Sequence, residues 1–196
     1  MNDRLDRRRL IGIALAAGAG LIVPARAAAA TPRSEAQVLA DLLATEQLTI
    51  AVAERILASP RLGHRAAATT RRVLAAERHH AAAFARALRQ IGGAPAAPFG
   101  TAPTTLERAL LVRHVHQSLG GLHTEKDCLD LLLDLEGIAE GALYTAMADL
   151  RDPAHQRLTA GVLASEAQHE AVFGLLRNPK DFDRAAPYAF VEGIQP

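Results

Sequence analysis

A single cysteine, Cys128, stands among 196 residues. One thiol cannot form an internal disulfide, and there is no cysteine cluster to hold zinc or an iron–sulfur centre. Cys128 sits in an apolar segment that begins near Glu125, so it reads as a small buried hydrophobe and not as a reactive thiol. Strand patterning is also missing: no segment after residue 31 shows two-residue alternation or β-branched density. The apolar run from Ile11 to Val23 has 13 residues, short of the roughly 20 needed to cross a bilayer. Excess charge of one sign is lacking too. The formal net charge is +1, and residues 1–27 hold five of the 22 basic residues but two of the 21 acidic ones, so the remainder carries −2. That balance leaves no electrostatic footprint for nucleic acid.

Half of the residues are hydrophobic, which suits one domain with a real core. Ahead of it, Arg7-Arg8-Arg9-Leu10-Ile11 leads into the apolar run, and Pro24-Ala25-Arg26-Ala27 offers a small-x-small cleavage site after Ala27. Residues 1–27 therefore read as an export signal. The arginine pair followed by Leu and Ile, the Gly/Ala-rich apolar stretch and the late Arg26 resemble a twin-arginine signal, a route that moves already folded proteins. The expected location is periplasmic or extracellular, with the twin-arginine export machinery as a partner. An uncleaved membrane anchor, a general secretory signal and a basic tail are the other readings.

The rest of the chain has helical periodicity throughout. The fold class expected is all-α, an antiparallel four-helix bundle over residues 34–178 with a tail over 179–196. The first long helix runs from about Ser34 to Ala58, with Thr31-Pro32 ahead of it, and the second from Pro60 or His64 to Ile91, stopping at Gly92-Gly93. After a Pro- and Gly-rich link from Ala94 to Pro103, a shorter amphipathic stretch from Thr104 to Leu119 is opened by the capping box Thr104-Thr105-Leu106-Glu107. A second box, Thr124-Glu125-Lys126-Asp127, opens the third long helix, which lasts to Leu150. The fourth takes Asp152 as N-cap and Pro153 as its first residue and ends by Asn178-Pro179. Two hairpins separated by about 30 residues imply a long crossover between the second and third helices, carried by Thr104 to Leu119.

Glutamate and histidine repeat with a mirrored spacing. Glu46 is followed 31 residues later by Glu77, which opens a Glu-x-x-His ending at His80; Glu136 is followed 30 residues later by Glu166, which opens another ending at His169. The breakers Ser59-Pro60-Arg61-Leu62-Gly63 and Asp152-Pro153 lie near the two midpoints, so each hairpin brings its two carboxylates level. Positions i and i+3 share a helix face, so Glu and His of each motif point the same way. All four glutamates lie on apolar stripes: Glu46 with Leu42, Leu43 and Ile50; Glu77 with Val73, Leu74 and Phe84; Glu136 with Leu132, Leu133 and Leu143; Glu166 with Val162, Leu163 and Phe173. Four carboxylates in such stripes cost several kcal/mol each unless a cation lies among them. The expected metal ligands are Glu46, Glu77, His80, Glu136, Glu166 and His169. Glu140, one turn from Glu136, is the alternative on the third helix; Glu54 and Glu170 are outer candidates, His79 reads as a surface residue, and Tyr144 as packing or an electron carrier.

With these motifs over residues 34–176 the chain resembles the ferritin-like superfamily, specifically small exported bacterial ferritin-like domain proteins. The resemblance implies ferritin-like connectivity and a di-iron centre, with manganese as the alternative metal. It implies that Glu77 and Glu166 bridge, that Glu46 and Glu136 are terminal, and that His80 and His169 give one nitrogen to each metal. It also implies oxidation of Fe(II) or reduction of O2 or peroxide, fed by an external electron donor that the sequence does not name. A rubrerythrin-type electron donor, built on four cysteines, is excluded by the lone cysteine. The tail after Asn178 departs from the fifth helix of iron-storing cages and is expected to wrap the bundle. A homodimer is allowed. Metal buffering without turnover, or an exported structural bundle with a vestigial site, are the competing functions.

Overall fold

The structure is a computed structural model and describes residues 33–100, 102–115 and 117–180. The expected export signal over residues 1–27, Thr31-Pro32 and the tail from residue 181 lie outside the described residues. Five α-helices are present, α1 (Glu35–Leu57), α2 (His64–Gln90), α3 (Pro103–Val112), α4 (Glu125–Asp149) and α5 (Pro153–Arg177), with one 3-10 turn at Leu119–Gly121 and no strand among the described residues.

Three of the four long helices start where a side chain satisfies free backbone N–H groups, whereas α2 starts at Gly63 without a side-chain cap. Ser34 and Thr124 close capping boxes with Gln37 and Asp127, and Asp152 accepts from the Ala154 N–H ahead of Pro153. At the end of α2, Gly92 takes φ +80° while the Gly92 and Gly93 N–H groups donate to the Arg89 and Leu88 carbonyls, a Schellman stop. Gly93 is needed as well, because a Cβ there would lie 2.3 Å from Leu88 Cδ1.

The α1–α2 and α4–α5 hairpins are the extensive pairings, α1–α4 joins them, and α2–α5 is the sparsest of the four. Two apolar clusters fill the bundle at opposite ends. One gathers the C-terminal half of α1, the start of α2, the start of α4 and Phe173; the other gathers Val38 to Leu43, Ala81 to Leu88, Leu143 to Leu150 and Val162. α1 and α4 thus run antiparallel, as do α2 and α5, with a polar layer between the clusters. Cys128 is fully buried in the first cluster. α1 has the length and hydropathy to cross a membrane, but most of that window is buried in the bundle and Glu46 sits inside it.

The crossover departs from expectation. Its helix covers Pro103–Val112 only, capped by Ala102 without a side-chain bond, so the Thr104 to Glu107 capping box is not used. Pro103 explains the shift: its fixed φ and missing N–H suit the first helical position and start the helix ahead of Thr104. The helix ends early because His114 takes φ +62°, with the His114 and Val115 N–H groups donating to the Leu111 and Leu110 carbonyls. Leu106 and Leu110 anchor this short helix on the first apolar cluster.

Two glutamates tie the hairpins together. Glu35, first in α1, accepts from the N–H groups of Arg151 at 2.6 Å and Asp152 at 2.7 Å in the α4–α5 turn. Glu125, first in α4, accepts from the Gly63 N–H in the α1–α2 turn. The two backbone bonds hold the Glu35 carboxyl below its ordinary value of 4.5. Glu35→Ala should lower stability by about 1–2 kcal/mol in urea denaturation at neutral pH, because two N–H groups lose a charged acceptor. A carboxyl with a depressed folded value stabilises above its ordinary value, so the wild-type advantage should fade as pH falls below 4.5.

Candidate metal centre

The polar layer between the apolar ends consists of the six residues with the mirrored spacing. Glu46 on α1, Glu77 and His80 on α2, Glu136 on α4, and Glu166 and His169 on α5 all project into it. The glutamates are at most 1% exposed, while the imidazole side chains retain 13% for His80 and 10% for His169. The donor atoms form two groups, each within 4.8 Å: Glu46, Glu77, His80 and Glu166 in one, and Glu77, Glu136, Glu166 and His169 in the other. Glu77 and Glu166 belong to both. His80 Nδ1 lies 2.8 Å from Glu166 and 3.7 Å from Glu46, and His169 Nδ1 lies 2.8 Å from Glu77 and 3.6 Å from Glu136. Each imidazole therefore approaches the shared glutamate of the opposite hairpin more closely than the carboxylate of its own Glu-x-x-His.

A family model described as a ferritin-like domain matches residues 29–179. The chain belongs to the ferritin-like domain family. No curated protein and no solved structure matches the chain. The four-helix core with its crossover between the second and third long helices is the ferritin-like connectivity.

The donor set of this ferritin-like domain fits a metal on two observations. Both oxygens of Glu77, Glu136 and Glu166, Oε2 of Glu46, and Nδ1 of both histidines are buried without a hydrogen-bond partner among the described residues. Buried polar atoms are rarely left so, and these nine face a common interior, whereas Glu140 Oε1, His155 Nδ1 and Thr159 Oγ1 are also without a hydrogen-bond partner but lie outside it. Oxygen also outnumbers nitrogen and no thiolate takes part, a set suited to hard or borderline divalent cations.

The metal-free layer is held by protons. Burial opposes charge on His80, but Glu166, then Glu46 and Glu77, outweigh it and push the imidazole up to about 11. His169 is likewise carried to about 12 by Glu136, Glu166 and Glu77. Glu166 is buried too, yet His169 and His80 draw its carboxyl down to about 2. Burial dominates at Glu46 and Glu136 and raises both well above the ordinary range. Glu77 is likewise drawn down, against its burial, by His169, His80 and Glu46, so the shared carboxylates shift down and the outer two shift up.

The remaining candidates lie outside the layer. Glu140 is half-buried, and burial followed by the neighbouring Glu170 and then Glu166 pushes it up to about 8; it belongs to neither donor group. Glu54 pairs with Arg78 at 2.7 Å, His79 is exposed, and Tyr144 is 53% exposed on the bundle surface. Sequence reasoning missed Ser165, whose Oγ is 3.3 Å from His169 Nε2 and steadies the outer edge of the ring. Its position, one turn before His169 on the same helix face, was the available signal.

The proton-held layer has a testable pH signature. Imidazoles bound more tightly than their ordinary 6.5 stabilise fully below that value, and the contribution drains away as pH rises toward 11 and 12. Glu166, depressed from 4.5, acts in the opposite direction and loses its contribution as pH falls toward 2. Metal-stripped protein melted in chelator should have its highest Tm between pH 4.5 and 6.5 and a lower one at pH 9. A Tm that rises from pH 6.5 to 9 would contradict a proton-compensated layer.

Proposed function

We propose that this ferritin-like protein binds a pair of divalent cations, iron with manganese as the alternative, and uses them to oxidise Fe(II) or to reduce O2 or peroxide. The observation that carries the reading is the sharing of Glu77 and Glu166 between two four-residue donor groups. Two cations would neutralise the four carboxylates and take the place of the protons that otherwise hold the layer together. Glu46 and His80 would hold one cation, Glu136 and His169 the other, and the shared pair would bridge them. Iron bound there supplies one electron per ion, so a pair matches the two electrons that, with two protons, turn hydrogen peroxide into two waters.

The chain's own residues account for the rest. Phe84 and Phe173, both fully buried, belong to the two apolar clusters and close the layer from opposite ends, keeping bulk water off the charged groups. Ser165 orients His169 through Nε2 and leaves Nδ1 aimed inward. Residues 1–27 support export as an already folded and loaded protein; intact mass of protein recovered outside the cytoplasm tests this, with a chain beginning at Ala28 expected.

Metal analysis of purified protein should find two ions per chain. Glu77→Ala or Glu166→Ala should lose both, because each removes a donor from both groups, whereas Glu46→Ala or Glu136→Ala should keep about one. Loss of one ion in every variant would break the shared-bridge assignment. Rapid mixing of the reduced, loaded protein with peroxide under optical detection then separates turnover from storage. Two bound ions with no optical change would leave a binding protein without redox function.

A further inference from the structure

The α2–α5 seam is the open side of the bundle. It is the sparsest pairing within the four-helix core, and the rings of His80 and His169 stack across the molecule with centroids 5.8 Å apart. These two imidazoles are the members of the layer with measurable exposure. Beside His169 the structure holds a cavity of about 400 Å³ lined by Arg65, Thr69 and Arg72 of α2 and by Gln168, His169 and Val172 of α5. Arg65, Thr69 and Arg72 recur at i, i+4 and i+7 and so share one helix face. No acidic residue lines the cavity among the described residues. Arg33, Arg78 and Arg177 each pair with a carboxylate elsewhere, but among the described residues neither Arg65 nor Arg72 does; Arg72 has only a 3.4 Å contact to Thr69 Oγ1. Glu125 lines an adjoining depression that also includes Arg65, but its carboxylate is engaged by the Gly63 N–H.

We propose that this cavity binds a small oxoanion, phosphate or the carboxylate of a small organic acid, and forms the mouth through which the acid and histidine layer is reached. Two guanidinium forks without a carboxylate partner, the Thr69 hydroxyl and the second amide hydrogen of Gln168, whose other is directed to the Ala164 carbonyl, supply the donors that an oxoanion needs, with Val73, Leu175 and Leu176 as the apolar wall behind them. The positive potential at such a mouth raises the local concentration of anions. The mouth role rests on the metal reading above, whereas oxoanion binding stands on the cavity alone.

The test uses the full chain, metal-free and 15N-labelled, at low ionic strength. Inorganic phosphate, and acetate in a second arm, are titrated while backbone amides are followed by NMR. Saturable shifts centred on Thr69 and Gln168 are expected, and the Arg65→Gln/Arg72→Gln double variant should raise the phosphate Kd at least ten-fold. Arg71→Gln, exposed on the same helix but outside the cavity, should leave the Kd unchanged. Saturation by phosphate alone identifies a tetrahedral oxoanion as the ligand; saturation by acetate as well identifies the wider class. Shifts that stay linear in both anions, or an equal Kd in the double variant, overturn the site. Metal analysis of the same double variant should give the wild-type content, since neither arginine is a donor. Wild-type protein that holds phosphate but takes up no metal would end the mouth role and the metal reading while leaving the oxoanion site in place.

Discussion

The fold depends on neutralising one buried layer of charge. Four carboxylates and two imidazoles lie between two apolar ends that exclude solvent, and an uncompensated ion there costs several kcal/mol. Every helix of the four-helix core contributes to that layer, so its charge state bears on all of the long-range packing at once. Protons provide one solution, with ionised Glu77 and Glu166 set against two imidazolium rings. Cations would provide another, held by the same inward-facing atoms.

The layer sits on an approximate two-fold relation between the halves of the chain. Ser34, Glu35 and Glu46 recur 90 residues later as Thr124, Glu125 and Glu136. Gly63, Glu77, His80 and Phe84 recur 89 residues later as Asp152, Glu166, His169 and Phe173. The change of one arises because α4 is two residues longer than α1 while the turn after it is three residues shorter. The relation extends to the hairpin ties, since the first glutamate of each half caps the turn of the other. Where it fails, the surface differentiates: Arg65 and Arg72 correspond to Ala154 and Gly161, and Glu140 and Glu170 to Ile50 and Ala81.

Much of this is legible in the sequence because it is local or periodic. The caps at Thr124 and Asp152, the stop at Gly92-Gly93 and the level placement of Glu46 with Glu77 follow from spacing along single helices and across single turns. The mirrored interval favours Glu136 over Glu140, and the structure puts Glu136 in the layer and Glu140 against Glu170. The crossover helix reads too long because periodicity continues past Val112, while the stop depends on His114 adopting a backbone conformation that its residue type does not advertise. The ties from Glu35 and Glu125 are invisible for a different reason: both are contacts between hairpins, and nothing in a helix-start glutamate names the distant turn that it reaches. The opening along α2 and α5 belongs to the same class, since a gap is a property of two surfaces and not of either helix alone.

The two shared carboxylates bear on how the molecule comes apart. Neither donor group can be completed by one hairpin, because the group around His80 borrows Glu166 and the group around His169 borrows Glu77. Parting the hairpins therefore dismantles both groups in a single motion, and no half-assembled intermediate retains one of them whole. A cation held by one group would therefore be released together with a cation held by the other, and the thinly packed α2–α5 edge is where the two shared carboxylates come from opposite hairpins.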